Sequence, residues 1–224
     1  VTGVLSVSDV DDGENVFVPQ TGTVGTYGSF DIDAGGNWTY TLNNSSVQNL
    51  NAGDTVSDSF SVASVDGTAG EMVVVTINGV NDAATVGGTL TGSTDEDAVA
   101  LVTGVLSVSD VDDGENVFVP QSGIAGTYGT FDIDSSGNWT YTLDNGSVQN
   151  LNAGDVVSDS FSVASVDGTA SEPVVITING LNDTATISGV STGSTDEDSA
   201  VAVAGTLSVS DVDDGENVFV PQTG

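Results

Sequence analysis

An all-β fold is expected, built as tandem immunoglobulin-like antiparallel β-sandwiches of about 100 residues each. Three observations predict it. A long segment repeats at a spacing of 101 residues, since Ser-Val-Ser-Asp-Val-Asp-Asp-Gly-Glu-Asn-Val-Phe-Val-Pro-Gln begins at Ser6, Ser107 and Ser208. Within each repeat, large apolar residues alternate with Ser and Thr, the period-2 pattern of a half-buried strand. Turn signals punctuate these runs at Asp113-Gly114, Ser136-Gly137-Asn138, Asn145-Gly146 and Asp167-Gly168.

Seven strands are predicted in the second repeat: 84–93, 100–109, 116–121, 126–133, 138–143, 156–165 and 172–179. The first is bounded by a linker. Leu106 and Val108 alternate with serines in the second, and Asn138-Trp-Thr-Tyr-Thr-Leu143 alternates in the fifth. Phe161 and Val163 alternate with serines in the sixth, and Val174-Val-Ile-Thr-Ile178 is a β-branched run suited to a strand. One short helical turn is expected at Val148–Leu151. Trp139 falls on the same face as Tyr141 and Leu143, which favours core packing over sugar stacking.

Residues 1–101 and 102–202 are identical at 79 of 101 positions, and the last 22 residues restart the unit. A period this long fits separate domains better than solenoid repeats. The expected organisation is a sandwich lacking its first strand at 1–80, a linker at 81–83, a complete sandwich at 84–181, a linker at 182–184, and opening strands of a third repeat at 185–224. With no initiator Met, the sequence reads as a window of a longer array.

Composition narrows the chemistry. The chain has 33 Asp and Glu but no Lys, Arg, His or Cys, for a formal net charge of −33. Nucleic acid and anionic membrane surfaces are excluded as partners, because both are held by cationic side chains. Ser-His-Asp and Cys-His nucleophiles, Schiff bases, and zinc sites built on His or Cys are excluded too. A glycosidase carboxylate pair is disfavoured, because the acids recur in near-identical loops with no single cleft. No enzyme is expected.

Counting strands up and down places the acidic loops at the two poles of each sandwich, so that acids converge where one repeat meets the next. Two like charges about 5 Å apart repel by roughly 0.8 kcal/mol in water and about 3 kcal/mol at an effective dielectric near 20. Such a joint calls for a cation. Hard oxygen donors without nitrogen or sulfur suit Ca²⁺. Asp9-Val-Asp-Asp-Gly-Glu14 is not an EF-hand loop: its Gly falls at position 5 and position 12 is Gln20. The glycine-rich Ca²⁺-binding nonapeptide of β-rolls is also absent.

The runs Leu106–Glu115, Gly126–Leu143, Val148–Asp155 and Val174–Asp183 together resemble the VCBS repeat. That resemblance implies tandem cadherin-like sandwiches in long bacterial surface adhesins, secreted or displayed outside the cell. By the same resemblance, calcium ligands come from linker Asn-Asp pairs and from acids of the flanking loops. The implied sets are Asp54, Asn81, Asp82, Asp110, Asp112 and Asp167 at the first junction, and Glu96, Asp155, Asn182, Asp183, Asp211 and Asp213 at the second. The expected partners are neighbouring repeats of the same chain and other copies in a fibre. Two alternative functions are a filament subunit assembled by strand complementation and a carbohydrate-binding module.

Overall fold

The computed structural model describes residues 1–222. They form two compact units: Val1–Ala84 with Ser109–Asn116, and Thr85–Val108 with Val117 onward. The acidic loop that opens the second repeat's third strand region therefore packs with the first unit.

In the first unit, β1 (Thr2–Val4), β2 (Gln20–Val24), β3 (Gly28–Ile32) and β4 (Asn37–Leu42) form an antiparallel sheet in the order β1-β4-β3-β2. The two-residue periodicity puts Phe30, Ile32 and Tyr40 inside. A second sheet pairs β5 (Thr55–Ala63) with β6 (Gly70–Asn78), and its buried face carries Phe60, Val62, Val73, Val75 and Ile77. Phe30 stacks on Phe60 with ring centroids 4.7 Å apart, which joins the two layers.

The second unit repeats this plan with one outer strand added to each sheet. Strands β7 (Thr85–Gly88), β9 (Val102–Ser109), β10 (Gln121–Ala125), β11 (Gly129–Ile133) and β12 (Asn138–Leu143) make one sheet, ordered β10-β11-β12-β9-β7. The other contains β8 (Thr91–Asp95), β13 (Val156–Ala164) and β14 (Ser171–Asn179), with β8 parallel to β14. Phe131 and Phe161 stack at 4.7 Å between the layers. A third hairpin pairs β15 (Thr186–Gly189) with β16 (Leu207–Ser210).

Three strand expectations change. The run 84–93 is two strands in different sheets. Gly88, at φ +103°, permits the bend that carries the chain from one layer to the other. The run 116–121 reduces to one bridge between Phe118 and Ser165, and the ladder begins only at Gln121, after Pro120, which has no N–H to contribute. The run 126–133 begins as a turn, in which Gly126 N–H donates to Gly129 O at 2.7 Å, and becomes a strand at Gly129. The expected helical turn lies earlier, as a 3₁₀ turn at Asn145–Ser147 whose Asp144 side chain accepts from Gly146 N–H.

Each unit locks its layers with a buried acid. Asp159 accepts from Thr127 N–H at 2.8 Å, Tyr128 N–H at 3.0 Å and the Tyr141 hydroxyl at 2.8 Å. Asp58 does the same with Thr26, Tyr27 and Tyr40 in the first unit. Asp134 caps the β11–β12 turn, accepting from Ser136 N–H and Asn138 N–H. No helix among the described residues is long and apolar enough to cross a membrane.

Candidate metal centre

The Asp-Val-Asp-Asp-Gly-Glu loops fold on themselves before they meet anything else. Asp110 Oδ1 accepts from Asp112 N–H at 2.9 Å, Glu115 N–H reaches Asp112 O, and Gly114 takes φ +80°. The next copy repeats the turn, with Asp211 Oδ1 accepting from Asp213 N–H at 3.1 Å. Each turn points its second Asp inward, and Asp112 and Asp213 are both only 1% exposed.

In the first unit, the loop 109–116 closes on the linker. Asp82 N–H donates to Asp112 Oδ2 at 2.8 Å. Asn49 holds Asp113 through its side-chain amide and its carbonyl, and Asn51 Nδ2 donates to the Asp113 carbonyl at 3.1 Å. These contacts leave Asp112 Oδ1, Asp110 Oδ2 and Asn51 Oδ1 buried with no hydrogen-bond donor.

The second unit shows the fuller arrangement. Asp183 N–H donates to Asp213 Oδ2 at 3.0 Å, and Asn150 holds Asp214 as Asn49 holds Asp113. Glu96, 1% exposed at the end of β8, accepts from Leu181 N–H in the strand exit. Glu96 Oε2, Asp183 Oδ2, Asp213 Oδ1 and Asn152 Oδ1 are buried without a donor. Burial first, and then the charges of Asp183, Asp213 and Asp97, outweigh the Leu181 hydrogen bond and push the Glu96 carboxyl up. Asp183 is pushed up by desolvation and by Asp97, Asp213 and Asp211. Asp97 is held below the usual carboxylate range by hydrogen bonds from Asn145 and Gln149.

Of the residues singled out from the sequence, Asp82, Asp110 and Asp112 come together in the first unit, with Asn81 beside them in the linker. Glu96, Asp183, Asp211 and Asp213 come together in the second. The Asn81 and Asn182 side-chain amides donate to the following residue's carbonyl, that of Asp82 and Asp183 respectively. Asp54 and Asp155 fasten their own turns, accepting from Asn51 N–H at 3.1 Å and Asn152 N–H at 3.0 Å. Asp167 belongs to the second unit, in the turn after β13. Asp97, Asn51 and Asn152 were not singled out. Asp97 was legible as part of the Asp95-Glu96-Asp97 run, and the two asparagines as part of the repeated Leu-Asn-Ala-Gly-Asp motif.

A smaller group, Asp9, Glu14 and Asp66, brings carboxylate oxygens within 4.8 Å of one another in the first unit. The second unit's turns bear out the strand count: Asp97 meets Asn145 at one end, and Val166 N–H meets Val117 O at the other.

Residues 81–180 match the family model described as bacterial cadherin-like domain. Among solved structures, the chain is similar to the protocadherin GammaB4 extracellular domain, with a TM-score of 0.42 and 17% identity over 88% of this chain and 33% of that one. It is similar to PcdhgB3 EC1-4 at 0.42 and 17%, covering 97% of this chain and 55% of that one. Drosophila N-cadherin EC1-4 gives 0.35 and 12%, covering 82% and 46%. The chain thus spans between a third and about half of the length of these structures. No curated protein matches the sequence.

Proposed function

We propose that this chain is an extracellular spacer from a repetitive bacterial surface adhesin or fibre, with calcium stiffening the joints between its repeats. The observation that carries this reading is the set of buried carboxylate oxygens without a donor at each linker: Asp110 Oδ2 and Asp112 Oδ1 in one cluster, and Glu96 Oε2, Asp183 Oδ2 and Asp213 Oδ1 in the other. A buried carboxylate oxygen that lacks a donor, on a group without counter-charge, is costly, and the chain has no Lys, Arg or His to pair with it. A hard divalent cation supplies what is missing, and all-oxygen donors of this kind suit Ca²⁺. Asp82, Asp110 and Asp112 would hold it in the first cluster, and Glu96, Asp183, Asp211 and Asp213 in the second. The ion would bridge the linker to the acidic loop that follows, replacing charge repulsion with a tie. The VCBS resemblance and the bacterial cadherin-like match agree with an adhesion-type structural role rather than an enzymatic one.

The test is urea unfolding and small-angle scattering of the protein in millimolar Ca²⁺ and in chelator. Because the ion binds only the folded site, Ca²⁺ should raise the unfolding midpoint and narrow the distribution of shapes. Identical midpoints and profiles in the two conditions would remove calcium from the account.

A filament subunit is the second reading, favoured by one observation. Among the described residues, strand β6 has no partner on the edge that corresponds to the one β8 fills on β14, and the β8 sequence Thr91-Gly-Ser-Thr-Asp95 recurs at Thr192–Asp196. Donation between copies would appear in the same scattering series as polymers that grow with concentration. The carbohydrate-binding reading loses its main candidate, because Trp139 is buried and its indole N–H donates to Thr89 O at 2.9 Å.

A further inference from the structure

The segment that presents Glu96 is fastened on both flanks. On the β14 side, Asn179 Nδ2 donates to Asp95 Oδ1 at 2.9 Å, and Glu96 N–H donates to the Asn179 carbonyl at 2.9 Å. On the other side, the 3₁₀ turn after β12 supplies two amides. Asp97 N–H donates to Asn145 Oδ1 at 2.7 Å, while Asp97 Oδ1 accepts from Asn145 Nδ2 at 2.7 Å and Gln149 Nε2 at 2.9 Å. Asp97 pays for this with its backbone. At φ +61° it is the one non-glycine residue with positive φ among those described. Aspartate tolerates that conformation better than most L-residues, and here the paired amides hold it there.

We infer that Asn145 and Gln149 are positioning residues for the second cation site: an amide clamp that fixes Asp97 and, through the adjoining peptide, aims the Glu96 carboxylate at Asp183 and Asp213. The inference rests on the calcium reading above. Its chemistry explains why amides stand here. A Lys or Arg would hold Asp97 equally well but would cancel its charge and compete with the ion. A paired amide matches one carboxylate oxygen and one N–H, fixing orientation while leaving the negative charge available to the site. Asn145 touches none of the cluster's donorless oxygens, so its effect on the ion runs through Asp97 and Glu96. The clamp sits on a rigid base. Val148, next to the 3₁₀ turn, is fully buried in the second core, and Asp144 caps the turn.

The first repeat supplies an internal control. Asn44 and Gln48 occupy the same repeat positions in the first unit, whereas the amides that hold Asp97 are Asn145 and Gln149. The experiment uses the full 224-residue protein carrying Trp38→Phe, so that Trp139 alone reports the second unit. Calcium affinity is read from the Ca²⁺-dependent rise in its unfolding midpoint, and hydrogen exchange at the Asp97 amide is measured in chelator. Asn145→Ala/Gln149→Ala should weaken calcium at this site by roughly 10–100-fold, the usual cost of losing a group that orients a metal ligand. It should also release the Asp97 amide to exchange without calcium present. Asn145→Asp keeps the shape but loses the donor, and should weaken binding as well. Asn44→Ala/Gln48→Ala should leave both readouts unchanged. If the parent protein binds no calcium, the calcium reading fails, and the clamp stands or falls on whether Asp97 exchange is released. Calcium binding of undiminished affinity in the double variant, or an Asp97 amide that stays protected, overturns the clamp.

Discussion

Trp38 and Trp139 hold the same position in two repeats that share most of their sequence, yet only the second is buried. Trp139 is 1% exposed and bonded to Thr89, whereas Trp38 is half-buried. The sheet beneath differs in the same direction. Val174, Ile176 and Ile178 on β14 are all 0% exposed, and their counterparts on β6 are Val73 at 7%, Val75 at 5% and Ile77 at 9%. The difference comes from 84–101, the segment that forms β7 and β8. Its outer strand covers the β14 edge, and Gly92 lies against Ile176 and the Trp139 ring. Side-chain identity fixes which face is apolar, while the outer strand decides how dry that face becomes.

The largest expected effect follows from the dry side. Trp139→Ala should cost the second unit about 3–5 kcal/mol, the range for emptying a buried aromatic site, and Trp38→Ala should cost the first about 1–2 kcal/mol. Urea unfolding followed by backbone circular dichroism tests this; equal losses would mean that β7 and β8 add little to packing. The next effect probes the same contact from below. Gly104 lies opposite Trp139 in the ladder, and a Cβ there would come within 2.4 Å of the indole. Gly104→Ala should cost roughly 1–3 kcal/mol, because the enclosed ring cannot move aside. Gly3→Ala faces the same clash with Trp38, at 2.5 Å, but a ring open to solvent can swing out, so the loss should be smaller.

The sequence made the sandwich legible because alternation and turn residues are local signals. It hid the break between β7 and β8. Both strands lie in one apolar-polar run, and the change of sheet is set by Gly88 and by which neighbour is in reach. Pro120 is visible in the sequence, but that it would postpone the β10 ladder to Gln121 depends on the partner strand. At the metal centre, acid types and linker pairs could be read as repeated motifs. What the sequence does not reveal is burial: which oxygen of Asp112 or Glu96 lacks a donor is a tertiary fact. For the same reason Asp97, an exposed loop acid by its spacing, emerges only once Asn145 and Gln149 are seen to hold it.

The smallest expected effect belongs to the feature that β8 does not touch, and it sharpens the comparison by being equal in both repeats. Burial alone would push the Asp58 carboxyl up, but hydrogen bonds from Tyr27, Tyr40 and Thr26 outweigh it and hold it below the usual carboxylate value. The Tyr40 hydroxyl is pushed up to about 12 by burial and then by Asp58, and Tyr141 is raised by burial and then by Asp159. A depressed acid stabilises above its unfolded value near 3.8, and that contribution is lost as pH falls through the lower folded value. A raised tyrosine stabilises fully below pH 10.0 and loses the contribution as pH climbs through about 12. Asp58→Asn and Asp159→Asn should each cost about 1–2 kcal/mol at neutral pH, since an asparagine offers one acceptor where the carboxylate offered two. The gap between wild type and the Asp58 variant should close in acid below the unfolded aspartate value. If instead the Asp159 variant loses far more than the Asp58 variant, the outer strand stiffens the whole sandwich and not only the face it covers.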